Sequence, residues 1–186
     1  MADPAPKIVL GVTGSIAAYK ALDLLRLLQK AGCDVWPVLT ACAAQYVGPL
    51  PFRSLSRHPV PVGPFTALDP STNEHNGHAD GAAAFLVAPC TANTLARLAH
   101  GFADDVLSAA ALALSPSTPL LLAPAMNTRM WLHPATQANR QTLLDRGVQF
   151  IDPDTGPLAC GETGPGRLAE PAAIADALLR AIGRAP

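Results

Sequence analysis

The side chains best able to move a proton or hold a carboxylate are one cysteine, one histidine and one asparagine. Cys160 lies in DTGPLACGETGPGRLAEP, residues 154–171. Its glycines and prolines argue against helix or strand, so an irregular flap is expected. A thiol with an ordinary pKa of about 8.5 stays mostly protonated at neutral pH and can act as an acid. It can equally be an inert surface thiol. His75 lies close to His78 in a long polar stretch. Imidazole titrates near neutrality and can move protons, although a histidine in such a stretch is more often only solvated. Asn127, in APAMNTRMW, offers a donor and an acceptor to a carboxylate or an amide. Its neighbours Met126, Met130 and Trp131 are of types more often found in a core.

Small, hydroxyl-bearing turns form a second set. GVTGSIAAYK places Gly11, Gly14 and Ser15 between an apolar run and a helical pattern. Helix N-terminal N–H groups suit a phosphate there, and a plain tight turn with an N-cap is the alternative. The spacing is neither GxGxxG nor a Walker A loop, which argues against a dinucleotide and permits a mononucleotide. PCTANT (Pro89–Thr94) is a similar turn in which Thr91 is able to cap a helix, and Thr40 ends another apolar run.

The elements that must position these residues follow from periodicity. KIVLGV (Lys7–Val12) reads as a buried strand, and SIAAYKALDLLRLLQKAG as a helix stopped by Gly32. CDVWPVLT is a second strand, which completes a βαβ unit. From Gly48 to Asp80 the periodicity fades, and a long functional loop is expected. Further strands are expected at Ala83–Pro89, Thr118–Met126 and VQFID. Helices are expected in TLARLAHGFAD, DVLSAAALAL, HPATQANRQTLLDRG and EPAAIADALLRAIG. This alternation predicts an α/β fold, a single flavodoxin-like or Rossmann-like domain over residues 1–186 with a mostly parallel sheet and helices on both faces. Such sheets bind ligands past the carboxyl ends of their strands, where all the turns above would converge.

Composition narrows the function. The 186 residues carry a net charge of −1 and no run of like charge, so an electrostatic nucleic-acid or membrane-surface binder is not expected. No apolar run approaches a membrane span. Cys33, Cys42, Cys90 and Cys160 show no metal-ligand spacing, and the histidines show none either. Free thiols in a reducing cytoplasm are expected.

GVTGSIAAYKAL, VLTACAAQYV, His75 seven residues before AAAFLVAPCTANT, PAMNTRMW and LACGETGPGRLAEP occur together in this order. In this the chain resembles the flavin-dependent cysteine decarboxylases, most closely their coenzyme A-biosynthesis branch, over nearly its whole length. The resemblance implies an FMN enzyme assembled as a homotrimer or homododecamer. Its substrate's cysteine thiol is oxidised to a thioaldehyde, which serves as electron sink for loss of carbon dioxide. In the coenzyme A branch the ene-thiol is reduced again, turning 4′-phosphopantothenoylcysteine into 4′-phosphopantetheine; peptide decarboxylases stop at the ene-thiol. Other relatives bind a partner without turnover. By position, the resemblance makes His75 the catalytic acid or base, Asn127 the holder of the carboxylate and Cys160 the proton donor. It brings FMN to Gly14, Ser15, Thr40, Cys90, Thr91, Ala92, Asn93, Thr94, Ala125 and Met126, with the flap from Asp154 to Arg167 closing over the substrate. A short gap before the third strand would put His78 in the place of His75. Asp80 stands where the coenzyme A branch carries a cation for the substrate phosphate.

Overall fold

The computed structural model describes residues 4–64 and 74–185, with side chains from residue 77 in the second segment. Strands β1 (Lys7–Val12), β2 (Asp34–Leu39), β3 (Ala82–Cys90), β4 (Leu120–Pro124) and β5 (Gln149–Phe150) form one sheet in the order β2-β1-β3-β4-β5. Every pairing in it is parallel. The strands read as continuous apolar runs because both faces are covered. Ile8, Leu10 and Val12 point to one core, with Leu24, Leu25 and Leu28 of α1 (Lys20–Lys30), Phe52 of α3 (Pro49–Ser56) and Ile174 and Leu178 of α9 (Pro171–Ala181). Val9, Phe85 and Val87 point to the other. There they meet Leu95 of α5 (Ala92–His100), Leu107 of α6 (Val106–Leu112) and Leu143 of α8 (Pro134–Asp145). At roughly 25 cal/mol per Å² of apolar surface removed from water, these two layers dominate the stabilisation.

Two stretches differ from the sequence expectation. The segment expected as one loop contains α3 and a six-residue helix, α4 (Glu74–Ala79). Proline at the first turn of α3 costs no hydrogen bond, and Phe52 and Ser56 are buried one turn apart. The chain then runs along β2, where Leu39 pairs with Val62. Residues 65–73 lie outside the described residues. The flap, expected to be irregular, is an antiparallel hairpin of β6 (Asp154–Pro157) and β7 (Thr163–Arg167). In a two-stranded ribbon each strand has an unpaired edge, so the missing N–H groups of Pro157 and Pro165 are tolerated.

The carboxyl ends of the main strands lead into helix starts. Ser15 caps a short 3-10 helix (Ile16–Tyr19), Thr40 caps α2 (Ala41–Tyr46), Thr91 caps α5, and Asn127 caps α7 (Thr128–Leu132). Among the described residues no helix is long and apolar enough to cross a membrane.

Candidate active site

Two adjoining cavities open on the carboxyl edge of the sheet. The first, about 630 Å³, is lined by Gly14, Ser15, Thr40, Thr91, Ala92, Asn93, Thr94, Ala125 and Met126. The second, about 440 Å³, is lined by Ser15, Ala125, Met126, Asn127, Cys160 and Arg167, with Lys20 and Tyr19 at its side. Ser15, Ala125 and Met126 belong to both, so they form a shared wall.

Three turns build the first cavity. Ser15 Oγ accepts from Ala17 N–H at 3.2 Å, and Thr40 Oγ1 accepts from Ala43 N–H at 3.1 Å. Each hydroxyl thereby spends acceptor capacity on a helix start and keeps its own hydrogen to donate. Thr91 Oγ1 likewise accepts from Thr94 N–H at 3.3 Å. Buried Thr13 ties two of these turns together. Its Oγ1 donates to the Pro89 carbonyl at 2.7 Å and accepts from Thr91 N–H at 3.0 Å. Gly14 must lack a side chain, because a Cβ there would collide with the Cys42 thiol. Hydroxyl and helix-start donors beside apolar Ala125, Met126 and Met130 fit a phosphate joined to a flat apolar ring, and the volume lies in the usual cofactor range. Arg97 is held by Asp104 and Asp105, each at 3.0 Å, so its charge is fully compensated and the three together leave one negative charge on the cavity lining.

Cys90 is a correction. Its thiol is fully buried in the second core and does not line the cavity; burial pushes its pKa up to about 12. A register shift between Val87 and Cys90 breaks the alternation of β3 and turns that side chain into the second core, while its carbonyl accepts from Ala125 N–H at 3.0 Å. Conversely, Cys42, Gly63, Pro64, Arg97, Asp104 and Asp105 line the cavity and were missed. Thr40 and Thr91 as N-caps were the available signals for Cys42 and Arg97, which follow on the capped helices; the others arrive from distant segments.

Asn127 and Cys160 meet at the second cavity. Asn127 Oδ1 accepts from Met130 N–H at 2.8 Å, so the acceptor is consumed by the cap and Nδ2 remains to donate. Cys160 is exposed at the hairpin tip, in a turn closed by Leu158 N–H donating to the Glu162 carbonyl at 2.8 Å. The hairpin is docked on the Asn127 segment. Met126 N–H donates to the Gly166 carbonyl at 3.0 Å, and Gly166 has φ +131°. A Cβ at Gly166 would overlap the Met126 carbonyl oxygen, and one at Gly164 would overlap Thr128 Oγ1. Arg129 pairs with Glu162, and Glu170 receives both Arg167 at 2.9 Å and Lys20 at 3.4 Å.

The two histidines are placed differently. His75 is in α4, and its side chain lies outside the described residues. The last turn of α4 is tied to Lys7 at the amino end of β1, and six residues of strand span about 20 Å, so α4 ends far from the cavities of its own chain. His78 is buried edge-on to Trp36, and burial, with the charges of Lys7 and His58, lowers its pKa to about 4. Asp80 follows α4 at that same amino end.

Residues 2–183 match the Flavoprotein family model. The chain is 46% identical over 164 residues to a probable phosphopantothenoylcysteine decarboxylase of Streptococcus mutans, covering 88% of this chain and 92% of that one. It is 44% identical over 164 residues to the coenzyme A biosynthesis bifunctional protein CoaBC of Bacillus subtilis, covering 88% of this chain but 40% of that one. Among solved structures, a PPC decarboxylase mutant complexed with pantothenoylaminoethenethiol has a TM-score of 0.82 at 29% identity, covering 94% and 96% of the two chains. The FMN-dependent cysteine decarboxylase SpaF has a TM-score of 0.81 at 32% identity, covering 97% and 99%. The chain belongs to the flavoprotein family and, within it, to the flavin-dependent cysteine decarboxylases.

Proposed function

We propose that this chain is an FMN-dependent decarboxylase that converts 4′-phosphopantothenoylcysteine to 4′-phosphopantetheine. The observation that carries the reading is the shared wall. A cavity suited to FMN adjoins a second cavity holding Asn127 and Cys160 through Ser15, Ala125 and Met126. FMN, when bound, would supply the two-electron redox chemistry at the substrate's cysteine. The chain's residues do the rest. The turns at Gly14–Ser15, Thr40 and Thr91–Thr94 hold the cofactor, with Ala125 and Met126. Asn127 Nδ2 donates to the substrate carboxylate and orients it until carbon dioxide leaves. His75 moves the proton of the substrate thiol. Cys160 gives a proton to carbon when the ene-thiol is reduced. The hairpin covers the site and excludes water.

His75 would serve the site of a second copy, since α4 ends at the opposite edge from its own cavities. Exposed Ile16, Tyr19 and Met130 at the cavity walls support completion by that copy, in a homotrimer or a dodecamer of trimers. A small-molecule substrate of central metabolism supports the reading of a cytoplasmic enzyme, with residues 1–186 acting as one catalytic domain.

The test incubates FMN-loaded protein with 4′-phosphopantothenoylcysteine and follows carbon dioxide and product by mass. No turnover with an intact flavin spectrum refutes this substrate. Asp80, where a cation is expected, favours a second reading, decarboxylation of a peptide's C-terminal cysteine to an ene-thiol. Cys160→Ser separates the two: it stalls the first reaction at the ene-thiol and leaves the second unchanged.

A further inference from the structure

A cluster far from the cavities has no part in the chemistry described above. Lys7 opens β1, and its Nζ donates to the carbonyls of Gly77 at 2.6 Å and Asp80 at 2.8 Å. These are carbonyls at the end of α4, which lack helical partners. The same ammonium sits 4.7 Å from the centroid of the Trp36 ring. Trp36 is itself immobilised. Its Nε1 donates to Asp34 Oδ2 at 2.7 Å, and His58 stacks on it with centroids 3.9 Å apart. His58 Nε2 bonds the other oxygen, Asp34 Oδ1, at 2.6 Å. From the α4 side, buried His78 packs edge-on to the same indole at 5.9 Å.

This arrangement answers a physical problem. A six-residue helix containing Gly77 cannot sustain itself, because nucleation is costly and glycine weakens it further. Something outside α4 must hold it. Its C-terminal carbonyls attract a cation, and β1 supplies one at a place fixed by the sheet. Register makes the device compact: Lys7 pairs with Asp34, and Val9 with Trp36. Lys7, Trp36, His58 and Asp34 are thus one rigid post, and α4 is fastened to it by two charge-assisted hydrogen bonds and one aromatic contact. His75 stands one turn before His78 on that helix.

We propose that Lys7, backed by Trp36, is a positioning residue for His75, fixing against the sheet the α4 backbone that carries it. The proposal rests on the assignment of His75 as the proton-moving group.

The test uses FMN-loaded protein and 4′-phosphopantothenoylcysteine. Lys7→Met keeps an unbranched stem of the same length and removes the ammonium with its donors. Amide exchange in α4 should quicken at least about tenfold, the scale of even one of the two charge-assisted hydrogen bonds removed, while β1 and β3 stay protected. Turnover should fall by a similar factor, with KM and flavin content unchanged, and Lys7→Arg should restore most of it. In a His75→Asn background, Lys7→Met should cause no further loss. Unchanged exchange in α4 overturns the clamp, and so does a kinetic loss fully additive with His75→Asn. If Lys7→Met fails to fold, Trp36→Phe, which deletes the bond to Asp34, is subject to the same outcomes at smaller amplitude. Wild-type turnover by His75→Asn itself would sink the assignment of His75. With α4 exchange still quickened by Lys7→Met, that result is distinct from failure of the clamp.

Discussion

Gly166→Ala should undock the hairpin without disturbing the flavin cavity. Gly166 has φ +131°, a region that costs an L-residue about 1–3 kcal/mol. The added Cβ would also overlap the Met126 carbonyl oxygen, a backbone atom that cannot swing aside. Relief requires β7 to move away, which breaks the Met126 N–H to Gly166 carbonyl bond, worth roughly 0.5–1.5 kcal/mol. Together about 2–4 kcal/mol act against docking, lowering the docked population relative to the open one by about 30- to 1,000-fold. Cys160 leaves Asn127 when that happens. Turnover of 4′-phosphopantothenoylcysteine should collapse while the bound-flavin spectrum persists, and limited proteolysis should cut within residues 154–167. Gly156→Ala is the control, since a Cβ there meets only the Arg167 side chain, at 3.6 Å or beyond. Gly166→Ala with wild-type turnover and unchanged proteolysis would refute the reasoning.

Three other outcomes are expected. Asn127→Asp keeps an acceptor for Met130 N–H, so stability should hold, yet it replaces the donor with a like charge facing a carboxylate; kcat/KM should drop by at least tenfold in steady-state assays. Gly14→Ala should lower FMN affinity about tenfold or more by fluorescence titration, with partial recovery when Cys42→Gly is added, because the clash is with that side chain. The third concerns acid. His78 is neutral in the fold with a pKa of about 4, below its unfolded value, so the unfolded chain binds the extra proton between the two pKa values and stability rises with pH across that window. Going from pH 7 to pH 4.5 should therefore remove roughly 2–3 kcal/mol by chemical denaturation, and His78→Leu should flatten that slope.

The sheet, its parallel order and the turns on its carboxyl edge were legible along the chain because strand burial and helix capping are local signals. KIVLGV followed by GVTGS already states a buried strand and the polar start of the next helix. The motifs PAMNTRMW and LACGETGPGR were equally legible as chemistry. Their relation in space was not. The flap is a hairpin only because β6 and β7 pair with each other and β7 rides on Met126 and Thr128, contacts about 40 residues apart in sequence. Cys90 reads as a site residue in PCTANT, but a register shift at the end of β3 turns its thiol into the second core. Composition, periodicity and capping determined which atoms this protein brings to a sheet edge. Tertiary structure decided which of them face one another: it set Cys160 beside Asn127 and fastened the His75 helix to Lys7 at the far end of the sheet. The physical reason is that each of these depends on a partner supplied by a remote segment, and no local pattern records which partner arrives.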